Sequence, residues 1–187
     1  MGDALTTESN NYDAVLCGFG VFFLGEPAVA CESLSSRLRP GGQLVLSVWQ
    51  GRPFSSLTKL VLAACEAEGG PRQVASASAR NLGKTNTEAK LIDILSTAGL
   101  SDITVSAIPF SVPLTPESAW DFVLSSLLIA ALPTDPRVVE RVRQRLIANW
   151  CPLNLEADAL IARATKPWPI QPALSCEYQV SEICKRG

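Results

Sequence analysis

The residue order predicts an α/β fold, a mainly parallel sheet flanked by helices, and three observations carry that expectation. Within about forty residues an apolar run, an amphipathic run and a second apolar run follow one another, the pattern of a βαβ unit with a right-handed crossover. Further along, a capped amphipathic run again precedes an extended one, and a last strand-like run stands near the end. The 187 residues are 47% hydrophobic and 18% charged, enough apolar mass for one domain with a full core.

Taken in order, Tyr12-Asp-Ala-Val-Leu-Cys17 is a buried strand closed by Gly18-Phe-Gly20, a turn that glycine permits. Glu26 and Pro27 open a helix that buries Ala30, Leu34 and Leu38 on one face. Arg37 and Arg39 suit its C-terminal dipole, and Pro40-Gly41-Gly42 is expected to stop it. Gln43-Leu-Val-Leu-Ser-Val-Trp49 is the second strand. From Phe54 to Glu68 the spacing of Leu57, Val61, Leu62 and Cys65 predicts a helix, and Gly69 to Gly83 reads as a loop. Thr85-x-x-Glu88 predicts a capping box for a helix that buries Leu91, Ile92 and Leu95 and ends before Gly99.

Asp102 to Phe110 reads as a strand, and Thr115-Pro116-Glu117 caps a strongly apolar helix expected to run to about Leu132. Thr134-Asp135-Pro136 starts another helix, with Val138, Val139, Val142, Leu146 and Ile147 on one side. Arg137, Arg141 and Arg145 recur on a different side of it. With Glu140 interleaved in a near-neutral chain, a solvated outer face is the expectation for them rather than an anion-binding stripe. Ala157 to Thr165 is the closing strand, and Pro167, Pro169 and Pro172 lead into a tail from Trp168 to Gly187.

Charge and composition exclude several classes of function. Sixteen Lys and Arg against eighteen Asp and Glu leave a net charge of −2, which lacks the basic footprint of a nucleic-acid binder. The chain contains no histidine, so Ser-His-Asp, Cys-His and imidazole-zinc mechanisms built on its own residues are ruled out. Six cysteines (Cys17, Cys31, Cys65, Cys151, Cys176 and Cys184) form no CxxC pair and read as free thiols, with no metal site. The opening MGDALTTESNN has neither a positive start nor an apolar core, so it does not read as a secretory signal. The apolar stretch from Phe122 to Leu132 is too short to span a bilayer. A cytoplasmic protein is the expectation.

Two segments resemble a known family. Tyr12-Asp-Ala-Val-Leu-Cys-Gly-Phe-Gly-Val-Phe-Phe23 and Leu38-Arg-Pro-Gly-Gly-Gln-Leu-Val-Leu-Ser-Val-Trp49 are similar to the second half of a class I S-adenosylmethionine-dependent methyltransferase of the small-molecule type. Leu95-Ser-Thr-Ala-Gly-Leu100 with Asp102-Ile-Thr-Val105 looks like the later helix and strand, and Leu160-Ile-Ala-Arg-Ala-Thr-Lys166 like the closing strand. The resemblance covers roughly residues 2 to 167. It implies a partial Rossmann-like methyltransferase fold with an antiparallel edge and a helical insertion, a cap at about 116–150, before the last strand. The domain would span 1–167 and the tail 168–187.

The same resemblance implies S-adenosylmethionine as cofactor. Gly2-Asp3-Ala4 looks like the motif whose acidic side chain bonds the adenine amino group, and Cys17, Gly18 and Phe19 form the strand end that faces the donor. Phe22, Phe23, Trp49 and Phe54 stand just beyond two strand ends, where they could wall a small, apolar acceptor. No residue is singled out as catalytic. A harder acceptor could use Asp13, Glu26 or a tyrosine as base. The family's glycine-rich loop and ribose-binding acidic residue have no counterpart, so the expectation is a truncated form, about two βα units short, with self-association through the incomplete sheet edge. The alternative is a non-catalytic remnant that serves as a binding or dimerisation partner.

Overall fold

The computed structural model describes residues 11–70 and 76–169. β1 (Tyr12–Gly18), α1 (Pro27–Ser36) and β2 (Leu38–Trp49) make the expected βαβ unit, with β1 and β2 parallel. Pro27 stands in the first turn of α1, where its missing N–H costs nothing. Pro40-Gly41-Gly42 does not separate helix from strand as expected. It is drawn into β2, whose pairing with β1 slips between Tyr12 and Ala14. Gly42 explains how: a Cβ there would stand 2.8 Å from the Tyr12 carbonyl oxygen and 2.9 Å from that of Arg39, so only glycine lets the chains approach.

α2 (Ser55–Ala67) follows as predicted, but the expected loop after it is partly helical, with α3 at Ala77–Thr85. This helix lacks an apolar repeat of its own. Its start is set by the Ser76 hydroxyl, which accepts from the Ala79 N–H, and Asn81 ties it to the Phe22 carbonyl at 3.4 Å. The capping box predicted from Thr85 and Glu88 does not form. Thr85 is buried and donates to the Leu82 carbonyl, while Thr87 caps α4 (Glu88–Thr97) by accepting from the Lys90 N–H. Leu91 and Leu95 are buried on α4, Ile92 is exposed, and Gly99 takes the left-handed C′ position with φ +75.

β3 (Ser101–Ile108) is shorter than predicted because the chain turns at once into β4 (Ser111–Leu114). Thr115 caps α5 (Pro116–Ser125) in a capping box with Ser118. The apolar run to Leu132 is not one helix: Ser126 takes an extended conformation and caps a short 3-10 segment, Leu127–Ala131. α6 (Pro136–Ala148) starts where predicted, with the Asp135 carboxylate accepting from the Arg137 N–H, then β5 (Leu153–Glu156) and β6 (Ala159–Thr165) complete the chain described.

The main sheet has the order β1-β2-β6-β3, and β6 runs against both its neighbours. β1, β2 and β3 therefore point the same way, and the antiparallel strand lies inside the sheet, between β2 and β3. One face of this sheet packs on α1 and α4 through Leu44, Leu46, Val48, Leu160, Ala162 and Ala164, with Ala30, Leu34, Leu91 and Leu95 opposite. On the other face Leu16, Ile108 and Ile161 are exposed. A second cluster joins α2, α5 and α6 through Leu57, Val61, Val123, Val142 and Leu146, with Leu114 and Leu155 of the separate β4-β5 pair packed against it.

Candidate functional site

Ligands of parallel α/β sheets bind beyond the C-terminal ends of the strands, which here are the tips of β1 and β2. At the first tip, Phe19 adopts a left-handed conformation (φ 49) that side chains rarely accept. Its N–H donates to the Ser47 carbonyl at 2.9 Å and to the Ser47 hydroxyl at 3.1 Å, so β2 holds the turn in place. A Cβ at Gly20 would meet the Cys17 sulfur at 3.1 Å, which keeps the turn tight. Cys17, Gly18 and Phe19 thus sit where the sequence placed them, at a strand end. Asp3 and Ala4 lie outside the described residues.

The aromatic residues divide into two groups. Phe22 is a core residue, 5% exposed, so it does not wall a pocket. Phe23, on the 3-10 turn Val21–Phe23, is exposed and packs against Phe22 at a tilt of 49°, with ring centroids 4.6 Å apart. Trp49 and Phe54 belong instead to a continuous ladder. Phe19 and Trp49 are 4.1 Å apart, Trp49 and Phe54 5.3 Å, and Phe54 and Phe122 5.0 Å. All four rings are half-buried, and they bridge the sheet-side and helical clusters. Sequence reasoning missed Phe122, which arrives from α5. It also placed Phe19 only as a donor contact.

Phe54 repeats the backbone feature of Phe19. It too is left-handed, with φ 58, and its N–H donates to the Glu156 carbonyl at 2.8 Å. Two aromatic residues held in a sparsely populated conformation on either side of Trp49 mark this as a place where surrounding contacts over-determine the backbone.

The groups that could have acted as bases are engaged elsewhere. Asp13 accepts from Arg39 at 2.6 Å near the opposite end of β1, beside Tyr12, and Glu26 is paired with Lys84. Three cysteines are held toward the neutral thiol: burial pushes Cys31 up to about 12, burial raises Cys65, and burial raises Cys17 despite the Gly20 N–H that favours its thiolate. Cys17, Cys31, Cys65 and Cys151 are free. Among the described residues no group of His, Cys, Asp and Glu could hold a metal ion, and no helix is long and apolar enough to cross a membrane.

Two depressions lie outside the aromatic ladder, and the first reaches the β1 tip at Cys17. A mainly apolar groove of about 200 Å³ follows the free edge of β1, lined by Tyr12, Val15, Leu16, Cys17, Leu24 and Leu34, with Arg37 beside them. A wider one of about 320 Å³ opens beside α6. There Arg141 and Arg145 both donate to Glu68, at 2.8 and 2.7 Å, so one carboxylate is shared by two guanidinium groups of the arginine stripe. The Arg141 hydrogen bond, then that of Arg145, holds the Glu68 carboxyl below its ordinary range.

No family model matches the chain, and no curated protein matches it. Solved structures are similar to it in fold. A candidate methyltransferase of Bacillus halodurans C-125 is 16% identical with a TM-score of 0.48, the match covering 90% of this chain and 71% of that one. The YcgJ protein of Bacillus subtilis gives 12% identity, a TM-score of 0.48 and coverage of 90% and 70%. Haemonchus contortus phosphoethanolamine N-methyltransferase 2, in complex with S-adenosyl-L-methionine, gives 14% identity and a TM-score of 0.41. That match covers 89% of this chain but only 36% of the Haemonchus enzyme. At these identities and TM-scores the likeness describes an arrangement of elements and no chemistry.

Proposed function

We propose that this chain carries part of an S-adenosylmethionine-dependent methyl-transfer site for a small, apolar organic acceptor. The observation that carries the reading is the pairing of two strand tips. The Cys17-Gly18-Phe19 turn, from the segment that resembles the donor-facing strand end, stands against Trp49 of the neighbouring parallel strand, and the aromatic ladder continues from there. Half-buried rings beside a strand end suit a flat heterocycle and a sulfonium cation.

When bound, S-adenosylmethionine supplies an electrophilic methyl group on a sulfonium sulfur. The chain's own contribution is placement. Ser47 fixes the Phe19 turn, Trp49 and Phe54 offer an apolar wall, and the half-buried ladder limits water at the reacting end. With Asp13 and Glu26 already paired, the site favours an acceptor that is nucleophilic without a protein base. Asp3 and Ala4 extend the donor site in this reading, residues 116–150 cap the acceptor, and Phe23 lines its rim.

The exposed Leu16 and the apolar groove on the β1 edge support self-association there, which sedimentation of the purified chain would test. The four free thiols support a reducing, cytoplasmic compartment. The decisive experiment is calorimetric titration of the folded chain with S-adenosylhomocysteine. Micromolar binding that weakens in Phe19→Ala supports the reading, and absence of heat from a folded chain overturns it.

A further inference from the structure

The segment that joins β2 to α2 carries Phe54, and its shape is not set by its own sequence alone. Gly51 has φ +61 and Phe54 has φ 58, so this short connection contains two left-handed residues. It is held from outside at three points. The Gln50 N–H donates to the Asp158 carbonyl at 2.8 Å, and the Phe54 N–H to the Glu156 carbonyl at 2.8 Å. The third hold is reciprocal and involves Asn86 between α3 and α4. The Gly51 N–H donates to the Asn86 carbonyl at 2.9 Å, and the Asn86 side-chain Nδ2 donates to the Gly51 carbonyl at 2.7 Å.

The other half of the Asn86 amide is also used. Lys90 Nζ donates to Asn86 Oδ1 at 2.9 Å and to the Gly83 carbonyl at 2.6 Å, which orients the amide with its Nδ2 toward Gly51. Only a side chain with both a donor and an acceptor can fill this place, and an aspartate of the same size cannot donate to Gly51.

We propose that Asn86 is a positioning residue of the acceptor wall: by clamping Gly51 it holds the Phe54 ring between Trp49 and Phe122, and so selects flat, apolar acceptors. This rests on the acceptor reading given above. Asn86 acts on the ladder through Gly51 and Phe54. Without the Asn86 amide the Gly51 carbonyl loses its donor while the main-chain half of the clamp remains; the connection loosens, Phe54 relaxes from its left-handed conformation and its ring leaves its place in the ladder.

The test uses the full 187-residue chain and 2-naphthol, a flat aromatic alcohol, as a fluorescent probe. Its affinity is measured for the wild type, Asn86→Ala, Asn86→Asp, Phe54→Ala and the Asn86→Ala/Phe54→Ala double variant, each confirmed as folded by circular dichroism. Asn86→Asp preserves side-chain size and keeps the measurement available should the alanine variant not fold. Each single change is expected to weaken naphthol binding about tenfold. The double variant should bind no worse than Phe54→Ala, because the two residues act as one unit. Losses that add in the double variant, or wild-type naphthol affinity in Asn86→Ala and Asn86→Asp while Phe54→Ala is weakened, overturn the positioning role alone. No naphthol binding by the wild type, or none lost in Phe54→Ala, overturns the acceptor wall and the positioning role together.

Discussion

The sheet side and the helical side of the molecule bury residues of the same kind by different means. On the sheet side, Leu44, Leu46 and Val48 of β2 alternate along a strand against Leu160, Ala162 and Ala164 of β6, and backbone ladders fix which residues face inward. On the helical side, Val61, Val123, Val142 and Leu146 meet from three helices with no ladder between them, and their relative placement depends on side-chain fit and on polar links such as Glu68 with Arg141 and Arg145. The difference teaches where precision comes from. The residues proposed to hold the donor stand on strand ends, while those facing the acceptor are shared with the side that is easier to shift. The aromatic ladder is the joint between them.

The largest expected effects test whether the two sides form one folding unit. Leu46→Ala, which empties a 1% exposed site on the central strand, should cost about 3 to 5 kcal/mol, and Leu146→Ala about 2 to 4 kcal/mol. Urea unfolding followed by circular dichroism should show a single transition lowered in both. Two separated transitions would break the comparison by making the sides independent. Next in size, Gly42→Ala forces a Cβ against two backbone oxygens and should cost about 1 to 3 kcal/mol, read by the same method, with the β1-β2 contact loosened.

A smaller effect sharpens the functional half of the contrast. Ser47→Ala removes one of the two acceptors of the Phe19 N–H and leaves the Ser47 carbonyl in place, so S-adenosylhomocysteine affinity should fall about three- to fivefold with little change in stability. The smallest concerns the helical side. Glu68 has its folded pKa below its unfolded value, chiefly through the Arg141 hydrogen bond. Its contribution is therefore complete above the ordinary carboxylate pKa and is lost as pH falls through the lower folded value. In a pH series of urea midpoints, the gap between wild type and Glu68→Gln should close on acidification. A constant gap would mean that the carboxylate charge does not link α2 to α6.

Much of the fold was legible because local periodicity and local capping agree with the final structure. The βαβ unit, the helix starts at Pro27, Thr115 and Asp135, and the inward faces of Leu91, Leu95, Val142 and Leu146 all follow from short-range pattern. The errors share one cause, contacts between residues far apart in the chain. α3 has no apolar stripe and is stabilised by its Ser76 cap and by Asn81 reaching the segment at Phe22. Thr85 resembled a cap until burial beside Leu82 took its hydroxyl away. Phe22 looked like a pocket residue, but the turn that follows β1 rotates it into the core.

For the candidate site, sequence pattern alone determined that Cys17-Gly18-Phe19 and Trp49 would stand at strand ends, because a strand's period and a glycine turn are written within a few residues. It also showed that the 187 residues supply no imidazole of their own, a property of composition that no fold can alter. Only the tertiary structure decided that Phe19, Trp49, Phe54 and Phe122 form one ladder and that Asn86 braces it. Those four rings come from four places in the chain. Their distances depend on how β1, β2 and α5 pack, and packing is a property of the whole core, whereas a turn or a cap belongs to its neighbours alone.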